Sequence, residues 1–218
     1  EKKVIDFIMT SGVNITFFNN DTKIQSYTIG SNTSNHLGNY MLLENTSQPF
    51  EVHIPTHNGF LSPRYGIQNN SLDINSWRSH NVFSYSANSI YQIQYTSKNN
   101  NNSYTLFTDS LRLLNYKNEL IKFDTYKVFN LLNSFSSLNC ESYKNNIEDF
   151  INVIPDECLI VNTDTLKIYH ILNNSNQNND ELNFNVNRKY AILNNKQLML
   201  IQDYVFNKVL ININELVE

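Results

Sequence analysis

The stretch Tyr40–Tyr65, YMLLENTSQPFEVHIPTHNGFLSPRY, decides the fold because a simpler copy of it follows at Tyr190–Leu210, YAILNNKQLMLIQDYVFNKVL. Each copy opens with Tyr and an apolar run, crosses Asn and a polar gap to a second apolar run, and then reaches Phe and Leu. Short apolar runs separated by polar turns are typical of paired β-strands. We therefore predict a strand pair that the fold uses twice.

Bulk composition excludes several classes of protein. The chain has 218 residues, a formal net charge of -4 and a pI near 5.7, and its basic residues are scattered. A nucleic-acid-binding protein needs clustered Lys and Arg, so we predict no nucleic-acid partner. No apolar run reaches the length of a membrane span. Asparagine clusters at 99–102 and 173–179, which predicts hairpin tips and a surface loop.

A helix and two strand pairs are predicted for the first part of the chain. Val4, Phe7 and Ile8 recur at helical spacing within residues 1–10, and Gly12 supplies a C-cap. Alternating apolar and polar residues then indicate strands. The predicted strands are Val13–Phe17, Lys23–Ile29, Tyr40–Leu43 and Phe50–Ile54, followed by a Pro- and Gly-interrupted loop from Pro55 to Tyr65.

The second part repeats this order after an additional group of strands. Helical spacing of apolar residues recurs from Val128 to Leu138, and Asp124 is the expected N-cap. A hairpin then leads through the Asn-rich loop to the second copy. The predicted strands before that copy are Tyr91–Tyr95, Tyr104–Phe107, Leu111–Tyr116, Leu120–Phe123, Cys158–Val161 and Leu166–Leu172.

These elements predict an α+β protein, mainly antiparallel β with few helices, built as two related helix–hairpin–strand-pair lobes. The predicted lobes are residues 1–87 and residues 88–218. The second lobe carries a strand meander before its helix, whereas the first begins directly at its helix. We therefore expect an additional meander upstream of Glu1, without which edge strands of the first lobe are exposed.

Three segments carry a resemblance to a known family: GNYMLLENTSQPFEVHIPTHNGFLSPRY at 38–65, SWR at 76–78 and RKYAILNNKQLMLIQDYVFNKVL at 188–210. In this order they resemble bacterial proteins of domain of unknown function family 4340. The resemblance implies an N-terminal membrane anchor outside this chain and an extracytoplasmic body in the cell envelope. It also implies membrane-protein partners such as subunits of gliding-motility-type ABC transporters. It brings no established activity.

Two histidines have the spacing of metal ligands on a helix, but the sequence around them does not allow a helix. His53 and His57 stand at positions i and i+4, and Pro55 between them breaks the helix that would place them on one face. A metal site also needs a third ligand, which no motif supplies. We therefore predict no metal and no cofactor, and both histidines are candidates for ligand contact.

Cys140 and Cys158 are the two cysteines of the chain. A disulfide between them is compatible with an extracytoplasmic location, whereas two separate thiols acting as small core residues are the favoured alternative. A nucleophilic cysteine needs a neighbouring positive charge, and the adjacent residues provide none. The sequence also has no GxSxG nucleophile elbow and no phosphate-binding glycine loop. We therefore predict that the protein is not an enzyme.

Arg64, Tyr65, Trp77 and Arg78 are the residues best suited to bind a ligand. Guanidinium groups beside aromatic rings bind carboxylates or phosphates, and Trp and Arg are enriched at interface hot spots. A structural interpretation is favoured over this one, with Trp77 buried between the lobes and the arginines bonded to backbone carbonyls of the 55–80 loop. If the surface is functional, this loop is the predicted contact surface.

Three functions remain open. The favoured one is a non-enzymatic extracytoplasmic scaffold or accessory subunit of a membrane complex, associated with an ABC transporter or gliding motility. A glycan-binding or adhesin-like surface module is the first alternative, which exposed aromatic side chains on one sheet face would favour. A hydrolase with an unrecognised site is the second, and it requires acid and base groups that converge in a pocket.

Overall fold

The computed structural model describes residues 2–68, 71–172 and 184–217 and divides the chain into two compact units, Glu1–Ser79 and His80–Glu218. This division falls before the lobe boundary that we placed at residue 87. The reason is a strand pair: Asn81–Phe83 pairs with Leu138–Asn139 and so belongs with the second unit.

The first unit is an antiparallel meander with a helix at its start. Its described elements are α1 (Lys2–Ser11), β1 (Val13–Asn19), β2 (Thr22–Asn32), β3 (Asn39–Leu43), β4 (Phe50–Val52), β5 (Ile67–Gln68) and β6 (Ser71–Leu72), with 3₁₀ turns at Ser62–Tyr65 and Ile74–Trp77. β1 to β4 pair in chain order, and β5 pairs with β6. Side chains of a strand alternate between faces, so Ile29 and Met41, which are cross-strand partners, share one face. Leu61, in the loop after β4, packs on both and is buried with them.

Helix α1 packs on β2 and β3. Its buried residue is Ile8, and Gly30 of β2 leaves room for that side chain, since a Cβ at this position would overlap it. The helix ends at Ser11, and the N–H of Gly12 donates to the carbonyl of Ile8 at 3.1 Å. The first predicted helix and its end are therefore confirmed.

The second unit is built on a nine-stranded antiparallel sheet. Its described elements are β7 (Asn81–Phe83), β8 (Gln92–Ser97), β9 (Tyr104–Phe107), β10 (Arg112–Asn115), β11 (Leu120–Ile121), α2 (Thr125–Asn133), β12 (Leu138–Asn139), β13 (Ser142–Tyr143), β14 (Glu157–Val161), β15 (Asp164–Leu172), β16 (Phe184–Leu193), β17 (Gln197–Gln202) and α3 (Asp203–Phe206). The order in the sheet is β11-β10-β9-β8-β14-β15-β16-β17-β13. The mainly antiparallel β architecture with few helices is therefore confirmed.

The core of the second unit lies on one face of this sheet. Leu159 of β14, Ile168 of β15 and Ala191 of β16 are cross-strand or near neighbours there and are fully buried. Tyr169 alternates to the opposite face, where it packs against Phe150 of a 3₁₀ turn with ring centroids 4.8 Å apart. Both faces of this part of the sheet are therefore covered.

Helix α2 supplies further core residues to the same unit. The side chain of Asp124 accepts hydrogen bonds from two main-chain N–H groups of the first turn, which confirms the predicted N-cap. Val128 and Leu131 are buried in the core. The helix ends at Asn133, earlier than predicted, because Leu138 lies in β12 and pairs with β7 instead.

Asparagine forms tight turns in both units. Asn20 and Asn162 open the two-residue turns of the β1–β2 and β14–β15 hairpins with φ of 51° and 56°. Asn194 and Asn195, between β16 and β17, have φ of 51° and 57°. This left-handed region is unfavourable for most side chains but is tolerated by Asn, so part of the Asn content serves the turns. The Asn-rich loop predicted at 173–179 lies outside the described residues.

Candidate functional site

An apolar groove crosses the open part of the first unit's sheet. Its volume is about 300 Å³, and its lining residues are Gln25, Tyr27, Met41, Leu43, Phe50, Val52 and Tyr65. Leu61 covers the sheet over Met41, whereas Leu43 is 39% and Phe50 53% exposed. Since the lining residues carry no charged side chain, the groove is a neutral concave surface.

Four aromatic side chains form a row beside this groove: Phe17, Tyr27, Tyr65 and Trp77. Consecutive ring centroids along the row are 5.9, 6.2 and 5.8 Å apart, which are the distances of favourable aromatic pairs. Phe17 is 38% and Trp77 46% exposed, so the row ends in exposed rings on both sides.

Hydrogen bonds fix the inner part of the aromatic row. The hydroxyl oxygens of Tyr27 and Tyr65 are 2.9 Å apart. Burial and this hydrogen bond raise the pKa of Tyr27 above its ordinary value, so its hydroxyl is uncharged at neutral pH. The indole Nε1–H of Trp77 donates to the carbonyl of Tyr65 at 2.9 Å. The inner rings of the aromatic row are therefore held in place by hydrogen bonds within the first unit.

Asn39 holds the loop that forms one wall of the groove. Its side chain is fully buried, and its Oδ1 accepts from the main-chain N–H groups of Leu61 at 2.7 Å and Ser62 at 3.1 Å. Its Nδ2 donates to the carbonyl of Gly30 at 3.2 Å. Sequence reasoning missed this residue, because a single Asn does not stand out in an Asn-rich chain.

Two of the residues predicted to bind a ligand are brought together, namely Tyr65 and Trp77. Tyr65 lines the groove and Trp77 stacks beside it at the end of the aromatic row. The burial expected for Trp77 is wrong, because its ring lies against Tyr65 at the surface of the first unit. Tyr27 and Phe50 complete the surface and had no motif to identify them.

The arginines and histidines of the predicted surface are placed outside the groove. Arg64 Nη2 lies 3.4 Å from His57 Nδ1, and both side chains are on the loop after β4. Arg78 donates from Nη1 to Asn75 Oδ1 at 3.2 Å. His53 is exposed just after β4. None of these four predicted residues is among the residues that line the groove.

No metal centre is found in the part of the chain that the structure describes, where no group of three or more His, Cys, Asp or Glu side chains could hold an ion. Within the same ranges, no helix is long and apolar enough to cross a membrane.

The two cysteines are thiols and are not joined in a disulfide. Cys140 packs in the core cluster on one face of the nine-stranded sheet. Cys158 alternates with Leu159 on β14 and so points to the opposite face. Burial raises the pKa of the Cys158 thiol despite the neighbouring Lys167, which argues against a reactive thiolate.

The second unit contains a cluster of polar side chains at the end of its core. Glu157 Oε2 accepts from the hydroxyl of Tyr95 at 2.8 Å, and its Oε1 lies 2.9 Å from His170 Nε2. Lys189 Nζ donates to the same Oε1 at 3.3 Å and lies 3.1 Å from Asp203 Oδ1. Sequence reasoning missed this cluster because its members come from four strands and α3.

This cluster has the arrangement of a structural ion-pair network. Glu157 is 8% exposed, and both of its carboxylate oxygens already have partners. Burial, with the negative charge of Glu157 beside it, raises the pKa of Tyr95 above its ordinary value. A catalytic carboxylate must be able to reach a substrate, whereas these oxygens are occupied by the protein itself.

A comparison of the chain with protein-family models finds no match, and comparisons with curated proteins and with solved structures find none either. The resemblance of three segments to family 4340 therefore stays a prediction.

Proposed function

We propose that the protein is a non-enzymatic binding protein that contacts a protein partner through the groove of its first unit. The observation that carries this proposal is the composition of the groove, which is lined by Tyr, Phe, Met and aliphatic side chains, with Gln25 as its one amide. Aromatic residues and Met are enriched at protein interfaces, and charged residues are depleted at their cores. Burial of the exposed parts of Leu43 and Phe50 would contribute about 25 cal/mol per Å² of apolar area.

A glycan ligand is the second candidate, because the exposed aromatic row offers flat surfaces for stacking. A sugar also needs hydrogen-bonding partners for its hydroxyl groups. The groove offers the Gln25 amide, while the hydroxyls of Tyr27 and Tyr65 are already bonded to each other. The few polar groups favour a protein partner over a glycan.

For the biological setting we propose an accessory or scaffold role in a membrane complex of the bacterial cell envelope. The partners would be subunits of an ABC transporter of the gliding-motility type, on the extracytoplasmic side of the membrane. This part of the proposal rests on the resemblance to family 4340. The groove provides the surface that such a subunit would contact.

The proposal is tested by purifying the full-length protein from native membranes and identifying the proteins that accompany it by mass spectrometry. We expect a transporter permease and ATPase with the wild type. Phe50→Asp introduces a charge into the groove and should reduce their recovery by roughly tenfold. Val186→Asp is the matched control, since Val186 is 76% exposed on β16 and lies outside the groove.

Two results would contradict the proposal. Equal recovery of the transporter subunits with Phe50→Asp would exclude the groove as their binding surface. A monomer that binds polysaccharide, and loses that binding with Phe50→Asp, would show that the groove belongs to a glycan-binding module instead.

We also propose that the two units are related copies of one meander, β1–β4 in the first and β14–β17 in the second. Both meanders pair in chain order, and both begin with a hairpin whose two-residue turn opens on a left-handed Asn. The cross-strand rows match when Tyr40 is aligned with Tyr190. A row here means residues that lie opposite one another on successive strands. The row Ile15, Tyr27, Leu43 of the first unit matches the row Leu159, Leu166, Leu193 of the second. The row Ile29, Met41, Phe50 likewise matches the row Ile168, Ala191, Met199.

A polar side chain at the same place of the third strand supports this correspondence. Asn39 pairs across with Val52, and Lys189 pairs across with Ile201. Each side chain contacts the segment that follows the fourth strand: Asn39 binds the loop after β4, and Lys189 forms an ion pair with Asp203. An experimental structure in which the meanders superpose only after a shift in register would contradict the relation.

A further inference from the structure

A cavity on the face of the nine-stranded sheet opposite its core combines apolar walls with one lysine, and we infer that it binds a small organic carboxylate with an apolar body. Its volume is about 340 Å³, which lies in the range of ligand sites. Residues of the 3₁₀ turn Ile147–Phe150, the adjoining Ile151 and strands β15 and β16 line it. Ligand sites typically join apolar walls to a few polar groups that fix the orientation of the ligand.

The walls of this cavity are apolar on the side of the turn and on the side of the sheet. Phe150 packs on Tyr169 of β15 with ring centroids 4.8 Å apart, and Ile192 of β16 is buried in the same cluster. Ile151 lines the cavity and is 71% exposed. A ligand with an apolar body would therefore remove apolar surface from water when it binds.

Lys167 is the charged residue of the cavity and has no counter-ion among the described residues. Two lysines of the described part of the chain are half-buried, Lys167 and Lys189, and the other lysines are exposed. Lys189 Nζ lies 3.3 Å from Glu157 Oε1 and 3.1 Å from Asp203 Oδ1. No described carboxylate forms such an ion pair with Lys167. A partly buried ammonium is stabilised by a neighbouring anion, which here the ligand would provide.

The residues around Lys167 do not neutralise it. Lys167 pairs across with Cys158 of β14 and with Ile192 of β16. Burial raises the pKa of the Cys158 thiol, so this neighbour carries no negative charge at neutral pH. The acidic residues of the 3₁₀ turn, Glu148 and Asp149, are exposed. A negative charge inside the cavity must therefore come from a bound molecule.

Two further side chains of the cavity can donate hydrogen bonds to a carboxylate. Tyr169 and Asn195 line it, and within the described residues neither the hydroxyl nor the side-chain amide has a hydrogen-bond partner. Burial raises the pKa of Tyr169, so its hydroxyl keeps its proton and can donate. One ammonium balances the single charge of a carboxylate, whereas a phosphate monoester carries about two charges. The cavity therefore suits an aryl or acyl carboxylate.

Isothermal titration calorimetry with octanoate tests the charge, and 1-octanol serves as the neutral ligand of the same length. We expect octanoate to bind about fivefold more tightly than 1-octanol. Lys167→Met should abolish this difference without weakening the binding of 1-octanol, and Lys167→Arg should retain it. Lys122→Met is the matched control and should change neither affinity, since Lys122 is exposed and follows the end strand β11.

A second variant and a second measurement test the apolar walls and the location. Ile151→Ser should weaken octanoate and 1-octanol alike by about threefold, because it removes an apolar contact that both ligands make. Its exposed position should leave the fold unchanged. Octanoate should also shift the amide NMR signals of residues 147–151, 166–169 and 191–195.

Three outcomes would overturn the inference. One is the absence of saturable octanoate binding. Another is an equal affinity for octanoate and 1-octanol that Lys167→Met leaves unchanged, since the cavity would then not select an anion. The third is a set of NMR shifts confined to residues 2–68. The groove proposal is judged by the recovery of transporter subunits, so the two proposals can fail separately.

Discussion

The meanders β1–β4 and β14–β17 pair in the same chain order but differ at their edges. In the second unit β8 covers β14 and β13 covers β17, whereas β1 and β4 end their sheet. Burial follows this difference, because β14 alternates buried with half-buried residues and β1 has no buried residue. Edge pairing therefore decides whether four such strands form the interior of a sheet or an exposed surface with a groove.

The largest loss of stability is expected at Asn39, whose side chain holds the loop after β4 against the meander by hydrogen bonds. Asn39→Ala removes the acceptor for the buried N–H of Leu61 and the half-buried N–H of Ser62 and should destabilise the first unit by about 3 kcal/mol. The midpoint of denaturant unfolding, followed by hydrogen exchange of β3, measures this loss. Asn58→Ala, at an exposed loop position, should leave it unchanged. An unaltered midpoint for Asn39→Ala would remove the proposed role of this residue.

A smaller loss of stability should follow from substitution of glycines at which two parts of the chain lie very close together. A Cβ at Gly38 would overlap the main-chain carbonyl oxygen of Val52, so Gly38→Ala should separate β3 from β4 and cost about 2 kcal/mol. Gly30→Ala should cost less, because its closest overlap is with a side chain, that of Ile8, and the nearest main-chain atom, the carbonyl oxygen of Tyr40, is 3.1 Å from the added Cβ. Thermal unfolding by circular dichroism compares the two variants, and the reverse order would contradict this explanation.

The contrast between covered and open edges predicts that a lysine costs more stability on a covered strand than on an end strand. Ile160 of β14 lies between β8 and β15, and Ile160→Lys should destabilise the second unit by about 1.5 kcal/mol. Thr16→Lys, on the end strand β1, should change stability by less than about 0.5 kcal/mol. Equal losses in the two variants would show that β1 is covered in the protein.

The smallest loss of stability is expected at Asp156, which lies where β8 meets β14. Asp156 and its two hydrogen-bonding partners, Lys98 and the main chain of His170, are called the clamp. Asp156 bonds to Lys98 Nζ at 2.5 Å and accepts from the main-chain N–H of His170 at 2.7 Å. Burial alone raises the pKa of Asp156, but these bonds outweigh it and hold the pKa below its ordinary value of 3.8. Its stabilisation is therefore present above pH 3.8 and is lost as pH falls through the lower folded-state pKa.

Asp156→Asn should cost about 1 kcal/mol at neutral pH and reduce the acid sensitivity of the second unit. Urea unfolding between neutral pH and pH 3 measures both changes. Lys167→Gln, on the neighbouring strand, serves as a control that removes one charge of the opposite sign. If the difference between wild type and Asp156→Asn persists unchanged into acid, the clamp does not act through its charge.

Local pattern was sufficient to predict most of the individual elements. The alternation around Met41 predicted β3, and the helical spacing before Gly12 predicted α1, because each depends on residues close in sequence. The pairing of β8 with β14 was not predictable, since it joins segments far apart in the chain. Local periodicity predicts which face of a strand is apolar. It does not predict which strand lies beside it.

The candidate site was predictable only in part, for the same physical reason. Tyr65 and Trp77 were singled out because aromatic residues in an interrupted loop suit binding. Asn39 was missed, and the burial of Trp77 was expected wrongly, because both depend on how the loop after β4 folds back on the sheet. The partners of Glu157 likewise meet only after several strands have paired.

The indole of Trp77 gives the first unit an optical reporter of its own. It is the one tryptophan of the chain, is 46% exposed and lies 5.8 Å from the ring of Tyr65. Its emission therefore follows the polarity around the aromatic row, and residues 80–218 contain no other indole. A shift of that emission to shorter wavelength on mixing with a candidate partner would signal loss of water from this surface without any added label.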